Sequence, residues 1–335
     1  MSRQCSFITE DSDEAGKLQQ NRNAQNKICR WREVSMELVS IVITTYGRTD
    51  SLLRAVKSAL LQTYGNFEII VVDDNQDEVI RSKVIRMVSS LKDPRIRLVL
   101  NPFNMGGALA RNEGIKAARG KYVAFLDDDD EYFPLKVEKQ EEIFEKSKNE
   151  NLALVYCYCV QMKGKQIVRK YENDYVGNCI YEGMLDCIAA TSQWMCRKEA
   201  LLKVGMFTNM PCKQDSYLLL KLLVNGYEID RVAEYLSVYH ADLVNRISNS
   251  GGHEKRIIGE EKLRTLCREH YGTLSKKQRK EVEYRASCRL AEHYYGAKDD
   301  RAFWTEMKNI VRRPFREESL RTFRRLARIG CMGKG

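Results

Sequence analysis

The sequence predicts an α/β protein, a mostly parallel sheet flanked by helices with a helical appendage at the C-terminus. Three observations carry that prediction. Between Leu38 and Leu126, strand-like apolar runs alternate with segments of helical periodicity. The runs are apolar almost throughout, as strands buried on both faces are. Each helix-connected run also ends in a polar cluster, and in such sheets ligands bind outside the carboxyl ends of the strands.

The elements follow in order. Leu38-Val39-Ser40-Ile41-Val42-Ile43-Thr44 suits a buried parallel strand and runs into Thr45-Tyr46-Gly47-Arg48-Thr49-Asp50. Leu52, Leu53, Val56, Ala59 and Leu60 then recur at helical spacing within Ser51 to Gln62. A second strand, Phe67 to Val72, ends in Asp73-Asp74-Asn75; a helix over Glu78 to Leu91 and a strand over Ile96 to Leu100 come next. After Asn104-Met105-Gly106-Gly107 a helix covers Ala108 to Ala118, stopped by Gly120. A fourth strand, Tyr122 to Leu126, runs into four consecutive aspartates. Beyond Glu150 the pattern mixes: a strand over Leu152–Met162, a polar stretch, a short helix near Gly183–Ile188 and a strand over Thr191–Cys196. From Glu254 onward helical periodicity and charge dominate. The expected division is a polar, disordered leader over 1–35, an α/β domain over 36–250 and a helical region over 251–335. Met36 directly precedes the first apolar run, so a start there would leave that domain intact.

Composition narrows the function. The 335 residues carry 56 Lys+Arg against 46 Asp+Glu, a net charge of +10, with 43% apolar residues. That is the balance of a soluble globular chain. Five Pro and 20 Gly exclude collagen-like and low-complexity architectures. No apolar run reaches the ~18 residues of a membrane span, and the polar first 35 residues lack the apolar region of a secretory signal. Eleven cysteines at irregular spacing contain no C-x-x-C pair, and the four histidines are scattered, so a structural zinc site lacks its ligand grammar. Reduced thiols packed as small hydrophobes in a cytoplasmic protein is the expectation. The positive charge alone is compatible with nucleic acid, an anionic membrane or a polyanionic small substrate.

The run Asp127-Asp128-Asp129-Asp130-Glu131 is the strongest chemical signal. Adjacent carboxylates ionise together at low cost only when a cation neutralises them. Hard oxygen ligands without neighbouring His or Cys favour Mg²⁺ or Mn²⁺ together with substrate phosphates. The competing structural reading is a solvated acidic turn.

Val39-Ser40-Ile41-Val42-Ile43-Thr44-Thr45-Tyr46-Gly47-Arg48, Gln62-Thr63-Tyr64, Phe67-Glu68-Ile69-Ile70-Val71-Val72-Asp73-Asp74-Asn75, Ala110-Arg111-Asn112-Glu113-Gly114 and Gly120-Lys121-Tyr122-Val123-Ala124-Phe125-Leu126-Asp127-Asp128-Asp129-Asp130 together resemble the successive motifs of family 2 glycosyltransferases, over roughly 38–245. The resemblance implies the Rossmann-like GT-A fold, inverting chemistry, a nucleotide-diphosphate sugar donor and a Mg²⁺ or Mn²⁺ cofactor. It implies that Thr44 and Tyr46 pack on the base and that Asp74 accepts from uracil N3–H. Because a carboxylate only accepts, that contact favours a UDP-sugar. By the same resemblance Arg111 steadies the nucleotide, Asp127 faces the ribose and Asp129 holds the metal. Asp128, grouped with the nucleotide-sugar contacts, and Asp130 leave that register open by one residue. Val204-Gly205-Met206-Phe207 with Lys213-Gln214-Asp215-Ser216-Tyr217-Leu218 resembles the segment carrying the family's general base, here Asp215. Thr208 and Gln214 replace the usual acidic residues there, and a helix N-cap is the structural alternative for Asp215. His240 falls where related enzymes place a metal or phosphate ligand, and Arg246 and Ser248 where a segment closes over the diphosphate. Trp194 is either a sugar platform or core.

Arg312, Arg313, Arg316, Arg321, Arg324, Arg325 and Arg328 crowd the C-terminus, opposite an apolar side made by Phe315, Leu320, Phe323, Leu326 and Ile329. Such a helix over 312–329 either lies on an anionic membrane or packs on the protein with its Arg face in water. The membrane option fits a lipid-linked or glycan acceptor and a cytoplasmic protein peripheral on the inner face of the plasma membrane. The overall expectation is hexosyl or N-acetylhexosaminyl transfer in cell-surface polysaccharide synthesis, the alternative a non-catalytic binder retaining the fold. Nucleic acid is not expected as a partner, because basic residues interleaved with aromatics in a known motif are missing.

Overall fold

Along a buried strand successive side chains face opposite sides, so an unbroken apolar run feeds two cores at once. A computed structural model describes residues 36–241 and 252–332, and the chain from Leu38 onward forms one compact unit. Strands β1 (Val39–Thr45), β2 (Phe67–Asp73), β3 (Ile96–Leu100) and β4 (Tyr122–Asp127) pair in parallel in the order β3-β2-β1-β4. Val42, Ile70, Val72, Val123 and Phe125 face one core, while Ile41, Ile43, Ile69, Val71 and Leu126 face the other. Helix α1 (Thr49–Leu60) follows β1, and α2 (Glu78–Ser90) follows β2, started by Asp77, whose carboxylate accepts from Val79 and Ile80 N–H. Helix α3 (Gly107–Ala117) lies so close to β1 that a Cβ on Gly114 would stand 2.2 Å from Val42 Cγ1. Glycine at 114 is therefore a packing requirement.

After β4 come β5 (Asp130–Tyr132), α4 (Lys136–Lys146), β6 (Leu152–Lys163), β7 (Gln166–Tyr171), α5 (Ile180–Leu185), β8 (Met195–Arg197), α6 (Lys198–Lys203), α7 (Gln214–Val224) and β9 (Glu228–His240). The sheet continues β4-β8-β6-β9-β5, with β7 hairpinned onto β6. Strands β8 and β5 enter antiparallel; β6 and β9 are parallel. Four differences from the sequence reading have physical reasons. The polar stretch before residue 172 contains β7, whose residues are almost all exposed, so no apolar pattern marks it. Strand β9 carries charges on its solvent side and reads as irregular. Asp130 and Glu131, which the sequence places beyond the end of the fourth strand, are themselves strand residues because β9 supplies their partners, Tyr239 and Val238. Thr191–Gln193 is a single 3-10 turn, and only Met195–Arg197 is strand.

Helices α8 (His253–Glu269), α9 (Lys276–Gly296), α10 (Asp300–Ile310) and α11 (Glu317–Met332) make up the C-terminal region. Leu263, Leu266, Cys267, Leu274 and Val282 share one apolar cluster with Met184 of α5 and Leu220 of α7, so this region is packed into the α/β layer. Phe323 and Leu326 of α11 pack against Tyr284, Cys288, Ala291 and Ile310, so protein already covers this part of the helix's apolar side. Trp194 is fully buried, with its indole N–H on Ala189 O, which resolves its two readings in favour of core. Eight described cysteines are free thiols, six of them buried. Among the described residues no helix is long and apolar enough to cross a membrane.

Candidate active site

Parallel pairing sets Thr45 beside Asp73 and Thr44 beside Asp127, so the polar ends of β1, β2 and β4 converge on one cleft. Thr44 is half-buried and Tyr46 is 54% exposed at this end of the sheet. Gly47 N–H donates to Asn75 Oδ1 (2.6 Å), and Asn75 in turn is bonded to the buried Asp73 carboxylate. Asp74 is buried and already accepts three protein hydrogen bonds: from Asn101 Nδ2 (2.8 Å), Met105 N–H (2.9 Å) and Gly106 N–H (2.8 Å). Its carboxylate thereby ties β2 to the loop that opens α3.

The aspartates divide into two sets. Asp128 is 1% exposed and turned into the protein, accepting from Thr45 Oγ1 (2.8 Å) and Tyr46 N–H (3.3 Å) and pairing with Arg48 (3.1 Å). Burial pushes its carboxyl up to about 7, against the opposing pull of Arg48 and Thr45. Asp127, Asp129 and Asp130 instead bring carboxylate oxygens within 4.8 Å of one another. All are hard oxygen donors, a set that fits Mg²⁺ or Mn²⁺. Arg48 Nη1 holds Asp129, Arg111 Nη2 holds Asp127, and Ser192 Oγ donates to Asp130 Oδ2 (2.7 Å). His240 is outside this group: its Nε2 is 2.6 Å from Glu131 Oε1, which also pairs with Arg54 (3.0 Å). Arg246 and Ser248 lie outside the described residues.

Arg111 joins the acidic set to the second half of the chain. Helix α3 projects it between Asp127 and Gln214, whose Oε1 accepts from Nη1 at 3.0 Å. Burial disfavours its charge, but Asp127, Asp215 and Asp129 outweigh that and hold its pKa above the ordinary value. The neighbouring Asn112 clamps the Phe207 backbone, donating to Phe207 O (2.8 Å) and accepting from Phe207 N–H (2.9 Å). Asp215 stands in the first turn of α7, half-buried; its Oδ1 accepts from Ser216 N–H (2.7 Å) and its Oδ2 from Cys187 Sγ (3.6 Å). The cap position belongs to Lys213, so Asp215 is not the N-cap that the sequence offered as its alternative. Two residues given no role by the sequence take part, Arg48 and Gln214, and Ser192, in the Thr191–Trp194 stretch expected to shape the sugar pocket, holds Asp130. Arg48 sits inside a quoted motif, but its partners are about 80 residues away; Gln214 showed only as a departure from the expected acid.

The sequence model of Glycosyl transferase family 2 matches residues 40–205, a span that contains the cleft and the acidic group. The chain belongs to that family. This glycosyltransferase is 27% identical over 230 residues to an uncharacterized glycosyltransferase of Methanocaldococcus jannaschii, covering 67% of this chain and 76% of that one. It is 41% identical over 113 residues, 34% of its own length, to the Escherichia coli UDP-Glc:alpha-D-GlcNAc-diphosphoundecaprenol beta-1,3-glucosyltransferase WfaP, and spans 43% of that protein. Among solved structures, the mannosyltransferase PcManGT of Pyrobaculum calidifontis, in complex with GDP-Man and Mn²⁺, superposes with a TM-score of 0.57 at 15% identity, covering 88% of this glycosyltransferase and 86% of PcManGT. That likeness speaks for the fold alone, and the fold is GT-A.

Proposed function

We propose that this glycosyltransferase moves a hexose or N-acetylhexosamine, with inversion, from a UDP-sugar to a hydroxyl of a glycan or lipid-linked acceptor in cell-surface polysaccharide synthesis. One observation carries the reading: Arg111, held by Asp127, also feels the charges of Asp129 and Asp215. A cation for the departing diphosphate thus stands between a metal-competent carboxylate group and a candidate base. WfaP, named for a UDP-Glc donor and a diphosphoundecaprenol-linked acceptor, makes UDP-glucose the first donor to try.

Asp129, with Asp127 and Asp130, would hold Mg²⁺ or Mn²⁺, which would offset the diphosphate's charge; PcManGT binds Mn²⁺ in its structure. His240 would reach such an ion through Nε2 only by leaving Glu131. Thr44 and Tyr46 would pack on the base. Asp74 has three donors against about four acceptor positions of a carboxylate, leaving one for uracil N3–H. Arg111 would stabilise the leaving diphosphate, an electrostatic contribution that grows as water is excluded. Asp215 would take the proton from the acceptor hydroxyl as that oxygen attacks the anomeric carbon.

The test measures UDP release from UDP-glucose and other UDP-sugars with Mn²⁺ or Mg²⁺, and reads the product's anomeric configuration by NMR. Asp129→Ala is expected to abolish transfer and metal-dependent UDP binding, Asp215→Asn transfer alone. Undiminished turnover in Asp215→Asn would remove the base assignment. UDP binding with no release from any donor would favour the non-catalytic reading.

A further inference from the structure

Asp215 follows a residue in an unfavourable conformation: Lys213 has φ 61°, in the left-handed region that a non-glycine residue keeps only when its surroundings hold it. What holds it comes from the C-terminal helices. Along α8, Lys262 Nζ donates to Asn209 O (3.2 Å) and Lys255 O accepts from Cys212 Sγ (3.5 Å). A Cβ on Gly259 would stand 2.3 Å from Cys212 Sγ and 3.1 Å from its carbonyl oxygen, so α8 rests directly on the 209–213 segment. One residue further on, Glu260 pairs with Lys213 Nζ at 3.0 Å.

Glu260 is 2% exposed, and its other oxygen accepts from Arg289 Nε of α9 at 2.9 Å. Arg289 Nη1 donates to Leu185 O (3.0 Å), the last residue of α5. Two residues later Cys187 hydrogen-bonds Asp215 Oδ2. One buried carboxylate therefore joins two segments that both end on Asp215. Arg289 and Lys213 hold the Glu260 carboxyl below the usual range although burial pushes it up, so it is charged and paired on both oxygens.

We propose that Glu260, through Lys213 and Arg289, is a positioning residue for Asp215, making α8 and α9 part of the catalytic apparatus. The proposal rests on the reading of Asp215 as the base. A misplacement of about 1 Å in a reacting group costs on the order of a hundredfold in rate, so even a modest shift of the α7 N-terminus is measurable.

The decisive variant is Lys213→Met, which leaves the Glu260–Arg289 pair intact and cuts only the link to the base segment. Three measurements are made: amide hydrogen exchange at Gln214–Tyr217, affinity for UDP with Mn²⁺, and kcat for UDP release from UDP-glucose. Expected are exchange and kcat each changed by about tenfold or more, faster and slower respectively, with UDP affinity and KM for UDP-glucose unchanged. Lys213→Arg should restore both, and Glu260→Gln should reproduce the loss. Unchanged exchange in Lys213→Met overturns the proposal whatever the activity does. Faster exchange with unchanged kcat overturns it as well, because the clamp would then order a helix without aiming the base. Full turnover in Asp215→Asn, or no UDP release by the wild type, instead overturns the functional reading, and the exchange result still reports on the clamp.

Discussion

Replacing Asn112 by Ala tests how the two halves of the site are joined. Asn112 is 7% exposed and Phe207 2% exposed, and the amide of one meets both backbone polar groups of the other at 2.8 and 2.9 Å. Alanine leaves a buried N–H and a buried C=O without their partner. At about 1–2 kcal/mol for each group stranded, the expected loss is about 2–4 kcal/mol. Asn112→Asp separates the two bonds: it still accepts from Phe207 N–H but sets a carboxylate against Phe207 O, so it should recover little of the loss. Activity should fall too, because the Arg111 guanidinium lies over the Phe207 ring, 5.6 Å from its centroid, and both belong to the wall between Asp127 and Asp215. Urea unfolding at constant pH gives the stability, and UDP release gives the activity. A loss below about 1 kcal/mol in Asn112→Ala would refute the claim that this pair carries the junction.

The C-terminal helices supply further tests. Glu283 accepts from Arg264 (2.7 Å), Arg268 and the Tyr271 hydroxyl (2.9 Å). Burial alone would raise its pKa, but hydrogen bonds from Arg268 and Arg264 hold it at about 2 against an ordinary 4.5. A carboxyl lowered in the folded state stabilises above the unfolded pKa and loses that contribution as pH falls towards the folded one. Glu283→Gln should therefore cost about 2–3 kcal/mol near neutrality, with the gap closing as pH drops from about 4.5 towards 2; parallel urea curves for the two proteins across that window would contradict it. Phe323→Ala and Leu326→Ala should each lower stability by about 1–3 kcal/mol, since both side chains pack on the helical cluster. No loss in either, together with weakened co-sedimentation on anionic vesicles, would mean that this side of the helix faces a membrane instead.

Strands β1, β2 and β4 were legible because each is buried on both sides and so reads as an uninterrupted apolar run, and β3, only half-buried, was still marked by its apolar residues. Strands β7 and β9 were not, because β7 is exposed almost throughout, β9 is exposed in part, and long-range pairing, absent from local pattern, makes them strands. The site was legible in the same uneven way. Asp127 closes β4, Asp129 lies just beyond it and Arg111 sits within α3, so the aspartates were proposed from position and motif together and Arg111 from motif alone. The inward turn of Asp128, and the engagement of His240 by Glu131, depend on contacts with Arg48, Thr45 and Arg54, from segments far away in the chain. No spacing rule reports them.

The net charge of +10 resolves in the same terms. Read along the sequence, the arginines near the C-terminus form a basic face that either meets an anionic surface or stays in water while the helix packs on the protein. In the structure Arg313 and Arg316 both pair with Glu281, Arg321 with Glu317 and Arg325 with Glu292 (3.1 Å). Two of those acids, Glu281 and Glu292, belong to α9, so the pairs fasten the last helices to the one that carries Arg289. Around the cleft the arrangement repeats with opposite emphasis: Arg48, Arg111 and Arg54 are distributed over Asp128, Asp129, Asp127 and Glu131. A run of five carboxylates can stay folded beside three guanidiniums because their charges offset one another at short range. A ligand metal that takes Asp129 must therefore compete with Arg48, and a diphosphate arriving with it would offer Arg48 an alternative anion.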